Sequence, residues 1–209
     1  MKSALFAVAG LACVAGAQVY PQVRMLQPSE YSTEYSVIDD GSTVNPEFTG
    51  MSYDALAFVA PVTENNINPG GTITEDYVSI QTDTDYLSIH RFVGGVAVAG
   101  EVIEFLFFNA GGNFVDGYGV QLNTAGLTNV WTVTINSDVF VPKEGFLVMR
   151  SAATNTGLAN WRNKVAAPAI GTTAGNVFRW NMEVRDIPAP ASLALMGAAG
   201  LIAGRRRRA

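Results

Sequence analysis

The chain has very few of the residue types from which most catalytic and metal centres are built. Its 209 residues include one cysteine, Cys13, and one histidine, His90. A Ser-His-Asp or Cys-His centre needs a base beside its nucleophile, and the usual zinc site needs several His or Cys ligands. A G-x-S-x-G nucleophile sequence is also absent. We therefore expect no catalytic residue, no zinc site and no cofactor.

Basic residues are scarce between the two ends of the chain. Residues 18–187 hold eight Lys and Arg against eighteen Asp and Glu, which gives this segment a formal charge of −10. A segment this acidic repels the phosphates of nucleic acids and of anionic lipids. We expect no nucleic-acid partner.

The N-terminus has the three parts of a secretory signal peptide in their usual order. Lys2 gives a positive charge, residues 4–14 form an apolar run too short to span a membrane, and Ala15-Gly16-Ala17 offers small residues for cleavage. Residues 1–17 are therefore predicted to be a signal helix that signal peptidase removes. A buried N-terminal helix of the fold is the alternative.

The C-terminus also has three parts. Ile187-Pro188-Ala189-Pro190 is followed by an apolar run over residues 191–204 and then by Arg205, Arg206, Arg207 and Arg208. As a helix the run would be about 21 Å long, which is short against roughly 30 Å of bilayer hydrocarbon. Four consecutive arginines favour the cytoplasmic side and stop transfer, so the preceding residues stay outside. We expect a membrane-anchoring tail over residues 188–209.

This tail resembles the PEP-CTERM sorting signal of Gram-negative, exopolysaccharide-producing bacteria. Pro188 and Pro190 match the two prolines of its Pro-Glu-Pro motif, Ala189 replaces the usual glutamate, and the arginines match its basic cluster. In that family exosortase, a membrane-embedded cysteine transpeptidase, recognises the tail and is thought to cut near the motif. The resemblance implies that Pro188, Ala189 and Pro190 are a recognition site for exosortase. It also implies transient anchoring in the inner membrane before transfer to the cell surface or extracellular matrix. A plain single-span anchor is the alternative.

The residues between the ends alternate in the manner of β-strands. Apolar and polar residues alternate over 177–185 and 131–135, while residues 101–108 are apolar on both faces, as in a central strand. Further strands are predicted at residues 56–60, 77–81, 86–93 and 118–122, with glycine-rich turns between strands. The sequence predicts an all-β, antiparallel, jelly-roll-like β-sandwich over residues 18–187, with a short helix near residues 158–165.

Few side chains of this domain suggest chemistry. The alternation around His90 predicts that it lies on the polar, solvent-facing side of its strand. The acids that a glycosidase could use are Asp83, Asp85, Glu101, Glu104 and Asp116, but nothing in the sequence pairs two of them, and acids that keep the surface soluble are the alternative. Asp83-Thr84-Asp85 and Asp39-Asp40-Gly41 place carboxylates on turns and leave calcium binding open, without the spacing of an EF-hand.

Tryptophan is the remaining indicator of a ligand. Trp161 stands in a polar stretch that predicts a loop, where it could stack on a sugar ring; a packing role is the alternative. Trp131 and Trp180 fall on apolar strand faces and are predicted to be core. The chain is thus interpreted as a non-enzymatic surface or matrix protein sorted by exosortase. The alternative is a glycan-binding module for exopolysaccharide.

Overall fold

The computed structural model describes residues 20–37, 51–57, 62–164, 166–175 and 177–187. The predicted signal peptide and the sorting tail, with Pro188, Ala189, Pro190 and the four arginines, lie outside these residues. The Asp39-Asp40-Gly41 turn and most of the strand expected at residues 56–60 also lie outside them. These features remain predictions.

Within the described residues the chain forms fourteen β-strands and no α-helix. The strands are β1 (Arg24–Met25), β2 (Tyr31–Val37), β3 (Met51–Asp54), β4 (Val62–Ile67), β5 (Thr72–Val78), β6 (Asp85–Val96), β7 (Val102–Asn109), β8 (Phe114–Gln121), β9 (Gly126–Ile135), β10 (Phe140–Val141), β11 (Glu144–Ser151), β12 (Ala159–Lys164), β13 (Val177–Phe178) and β14 (Trp180–Arg185). None of the described segments is a helix able to cross a membrane.

The strands make two sheets. Sheet A has the order β1-β8-β7-β11-β5, and sheet B is built around the long strand β6, which pairs with β9, β10, β12 and β14. In sheet B, β2 joins β9, β3 joins β14, and both β4 and β13 join β12. All these pairs are antiparallel except β1 with β8. The prediction of an all-β, antiparallel fold is confirmed.

One hydrophobic core lies between the sheets. It takes Phe105 and Tyr118 from sheet A and Phe92, Trp131 and Trp180 from sheet B. Trp131 and Trp180 are fully buried, as the sequence predicted. Strand β7 is central in sheet A and apolar on both faces, as the pattern over residues 101–108 indicated.

The helix expected at residues 158–165 does not form in the described part of that segment. Residues Ala159–Lys164 are strand β12, which pairs with β4 from Ala159 opposite Ile67 to Lys164 opposite Val62. Trp161 points into the core, while its neighbours Asn160 and Arg162 point to the other face. The polar outer face made this strand resemble a loop, so the prediction was wrong.

The prediction of a surface position for His90 is also wrong, since His90 is fully buried. The pairing of β6 with β14 skips Ser88, which marks a β-bulge. An extra residue reverses the faces on which the following side chains lie, so Leu87 before it and His90 and Phe92 after it all point inward. Counting by twos from Leu87 therefore places His90 on the wrong face.

An N-terminal strap, residues 20–25, crosses the outer face of sheet A and ends in β1, which pairs with β8 at the edge of the sheet. Val23 and Met25 lie over Gly117 and Gly119 of β8, where glycine leaves the space that a side chain would fill. A Cβ at Gly117 would come within 2.7 Å of Val23 Cγ1. The next residue, Leu26, enters the core. Two glycines thus seat the strap on the sheet.

Candidate functional site

The first polar site lies between the sheets and is centred on Glu75 of β5. Tyr53 Oη lies 2.9 Å from Glu75 Oε1. Glu75 Oε2 accepts hydrogen bonds from Trp180 Nε1 at 2.7 Å and from the Phe178 backbone N–H at 3.1 Å. Burial raises the pKa of Glu75 to about 8, although these three hydrogen bonds act in the opposite direction. The carboxyl is therefore largely protonated at neutral pH and links sheet A to sheet B.

A second buried polar pair lies in the same core. His90 Nδ1 is 2.6 Å from Tyr118 Oη, and the imidazole packs edge-on against Phe105 and Trp180. Burial lowers the pKa of His90 to about 3, so the ring is neutral, and its Nε2 has no hydrogen-bond partner. Both sites join the sheets. Neither Glu75 nor His90 is exposed, and a general base must reach the proton that it abstracts.

Four of the five acids noted in the sequence hold the chain's own loops. Glu101 Oε1 accepts the backbone N–H groups of Thr156 and Gly157, both at 2.6 Å; although burial opposes ionisation, these bonds lower its pKa. Asp116 accepts the backbone N–H groups of Gly117 and Phe140, Asp83 accepts that of Thr84, and Asp85 accepts that of Ile187. These contacts account for the four acids structurally.

The turn at Asp83-Thr84-Asp85 does not gather metal ligands. Burial raises the pKa of Asp85, and the neighbouring charges of Asp186 and Asp83 add to this effect. No group of three or more His, Cys, Asp or Glu side chains in the described segments is placed to hold a metal ion. The calcium hypothesis gains no support from this turn.

Trp161 does not lie in an exposed loop, so that prediction was wrong. Its side chain is fully buried on β12 and stacks on Phe178 with ring centroids 4.5 Å apart. A sugar ring cannot reach this face without opening the core. The packing alternative for Trp161 is confirmed.

Accessible aromatic rings occur instead on the outer face of sheet A. Leu106, Phe108 and Val148 form an apolar cluster there, and Tyr20, Val23 and Phe146 pack against it. Two cavities that share no lining residue, which we together call the outer groove, lie on this face, and the buried pair Leu106 and Val148 separates them. The aromatic cavity, about 240 Å³, is lined by Tyr20, Thr74, Phe108, Gly112, Phe146 and Val148. The polar cavity, about 400 Å³, is lined by Gln22, Met25, Gly70, Val102, Glu104, Arg150, Ala152, Ala153 and Thr154.

The fifth acid, Glu104, lies in the polar cavity. Arg150 donates from Nε to Glu104 Oε2 at 2.5 Å and from Nη2 to the carbonyl oxygen of Pro21 at 3.1 Å. The ion pair is mostly buried, and it connects β7 and β11 to the strap. The sequence indicates Glu104 but not its partner, because the two residues are 46 positions apart and meet only through strand register.

Comparisons with protein-family models, with curated proteins and with solved structures find no match to this chain. Arguments about function therefore depend on its own residues.

Proposed function

We propose that the protein is an exported, non-enzymatic component of the cell surface or extracellular matrix, sorted by an exosortase. The observation that carries the proposal is the tail: Pro188-Ala189-Pro190, a short apolar run and four arginines, in one chain with a signal-peptide pattern at residues 1–17. The signal peptide would direct export, and the tail would hold the protein in the inner membrane until it is cut.

The position of β14 suits such an attachment. The proposed tail begins three residues after β14 ends at Arg185, and β14 pairs with β3 on one edge and with β6 on the other. A pull on the tail would act first on Val184 and Arg185, which pair with β6 alone, and then on Asn181 to Glu183, which pair on both edges. We further infer a jelly-roll-like sandwich, which the core shared by the two sheets supports.

The alternative of a glycan-binding module cannot depend on Trp161, since that side chain is buried. It would need accessible aromatic rings near polar groups. The outer groove, with Tyr20 and Phe146 in one cavity and Glu104 in the other, has that composition.

A double substitution tests the sorting motif. In an exosortase-containing host, the wild-type chain should lose its tail, whereas Pro188→Ala/Pro190→Ala should stay full-length from Gln18 and remain in the membrane fraction. Pro69→Ala, at an exposed proline in the turn between β4 and β5, is the matched control and should be cut normally. An uncut wild-type chain would indicate a plain anchor. If the wild type and the double variant are cut equally, Pro188-Ala189-Pro190 is not the recognition site.

A further inference from the structure

Strand register brings the two cavities of the outer groove into line. On the outer face of sheet A, Glu104 of β7 lies opposite Arg150 of β11, and Phe108 of β7 lies opposite Phe146 of β11. Four residues along an antiparallel strand span about 13 Å. The groove therefore has an ionic end and an aromatic end about 13 Å apart on one face. Between them Leu106 lies opposite Val148, and the strap residue Val23 packs on this pair, so a ligand that reaches both ends passes over the strap.

The aromatic end suits an apolar face of a ligand. Tyr20 and Phe108 meet edge to face, with ring centroids 6.1 Å apart, and Phe146 completes the wall of the cavity. Tyr20 and Phe146 are partly exposed, so their rings remain accessible. Thr74 adds a hydroxyl at the rim. Ligand sites commonly combine aromatic walls with a few placed polar groups.

The ionic end suits a hydroxyl group. Glu104 makes its ion pair through Oε2, and Arg150 uses Nε and Nη2, so Oε1 of the glutamate and Nη1 of the arginine keep their capacity to bond a ligand. A hydroxyl both donates and accepts, so it can bond both groups and leave the ion pair intact. An anionic ligand group could accept from Nη1, but it would then lie beside the negative Glu104 carboxylate, which repels it.

The charge of the domain narrows the ligand further. Residues 18–187 carry −10, which repels polyanions. This negative charge, and the Glu104 carboxylate at the ionic end, disfavour an acidic polymer as the ligand. An uncharged chain with alternating apolar ring faces and hydroxyl edges fits both cavities.

We propose that the outer groove binds a short neutral oligosaccharide, with sugar rings against Tyr20 and Phe146 and hydroxyls bonded to Glu104 and Arg150. The inference rests on the proposed location at the cell surface, where such chains are accessible. The groove itself does not include the sorting tail.

Isothermal titration of the protein recovered from its exosortase-containing host, with cellopentaose, laminaripentaose and maltopentaose as probes, tests the site. At least one neutral probe should bind, and Tyr20→Ala and Glu104→Gln should each weaken its binding by roughly tenfold or more. Tyr35→Ala, an exposed aromatic change on β2 of the other sheet, is the matched control and should bind as wild type. Circular dichroism of each variant checks folding.

Three results would overturn the proposal: no probe binds the wild type, Tyr20→Ala and Glu104→Gln bind as the wild type does, or an anionic oligogalacturonate binds more tightly than the neutral probes. The intact mass of the same sample separates this proposal from the sorting proposal. A protein that has lost its tail but binds no sugar would overturn only the groove. A protein that binds sugar but keeps its tail would overturn only exosortase sorting.

Discussion

The interior and the outer face of sheet A differ in how they use polar and apolar side chains. The hydrophobic core between the sheets encloses hydrogen-bonded polar groups, whereas the outer face carries aromatic rings that remain partly exposed. The interior contains the carboxyl of Glu75 and the imidazole of His90, each hydrogen-bonded and sealed from solvent. The outer face instead carries the partly exposed rings of Tyr20 and Phe146 at a cavity. Buried polar groups with partners hold elements together, whereas apolar groups that remain accessible mark surfaces for partners. The titratable groups Glu75 and His90 are therefore assigned to holding the sheets together rather than to binding a ligand.

The largest difference between the two regions should appear on truncation of an aromatic ring. Trp180→Ala should lower the free energy of unfolding by about 3–5 kcal/mol, because it opens a cavity and removes a donor from Glu75. Phe114→Ala, at an exposed ring on the edge of the outer face, should cost about 0.5 kcal/mol. Urea denaturation measures both changes. Equal losses would contradict the contrast between interior and outer face.

The His90–Tyr118 pair should show that the interior depends on matched partners. His90→Phe leaves the Tyr118 hydroxyl buried without its partner, and it should cost about 1–3 kcal/mol. His90→Phe/Tyr118→Phe removes both polar groups and should recover part of that loss. Urea denaturation of the two single variants and the double variant gives the coupling energy. A coupling of zero would mean that the hydrogen bond contributes nothing.

Glu75 and His90 should make stability depend on pH in opposite directions. The folded pKa of Glu75 lies near 8, above its unfolded value of 4.5, so its contribution is complete below 4.5 and is lost as pH rises through 8. The folded pKa of His90 lies near 3, below 6.5, so its contribution is present above 6.5 and is lost as pH falls through 3. Between pH 4.5 and 6.5 the two slopes oppose each other.

Glu75→Gln isolates the alkaline half of this dependence. Between pH 6.5 and 8 Glu75 should lower wild-type stability by about 1.4 kcal/mol per pH unit, or about 2 kcal/mol in total. The glutamine variant should lack that loss, and thermal unfolding at several pH values compares the two proteins. If their stabilities change in parallel with pH, the carboxyl is ionised in the fold at neutral pH and the assignment is wrong.

The last effect concerns the contact between strap and sheet. Gly117→Ala places a methyl group 2.6 Å from the backbone oxygen of Phe105 and 2.7 Å from Val23 Cγ1. It should lift the strap, strain the pairing of β8 with β7 and cost about 1–3 kcal/mol. Amide hydrogen exchange should rise in residues 20–26 while β6 stays protected. Gly112→Ala is the control for a glycine-to-alanine change without crowding, because its added Cβ meets no atom within 4 Å. The positive φ of Gly112 adds backbone strain that is separate from the strap. Unchanged exchange in the strap of Gly117→Ala would mean that the glycine does not seat it.

The fold could be predicted where the side-chain period is undisturbed. Strands β9 and β14 follow the two-residue period. Strand β7 is apolar on both faces because the core covers its inner face and the strap covers part of its outer face. The period fails at Ser88, since a bulge leaves no mark in composition. It was also misread at β12, whose polar outer face resembles a loop.

The sequence does indicate that Glu75 points inward. Glu75 occupies the same alternating positions as Ile73 and Tyr77 on β5, so its inward direction follows from the period. Its partners Tyr53 and Trp180 are distant in sequence, and only the topology brings them together. The pairing of Glu104 with Arg150 in the outer groove depends on register in the same way. Local pattern gives the direction of a side chain, whereas non-local pairing gives its partner.

The most direct test of the proposed function is the intact mass of the protein recovered from the surface of a host that contains an exosortase. The proposal predicts an N-terminus near Gln18 and a chain that ends near Pro188, without the apolar run and Arg205 to Arg208. A surface protein that still ends at Ala209 would contradict sorting by exosortase and indicate a simple membrane anchor.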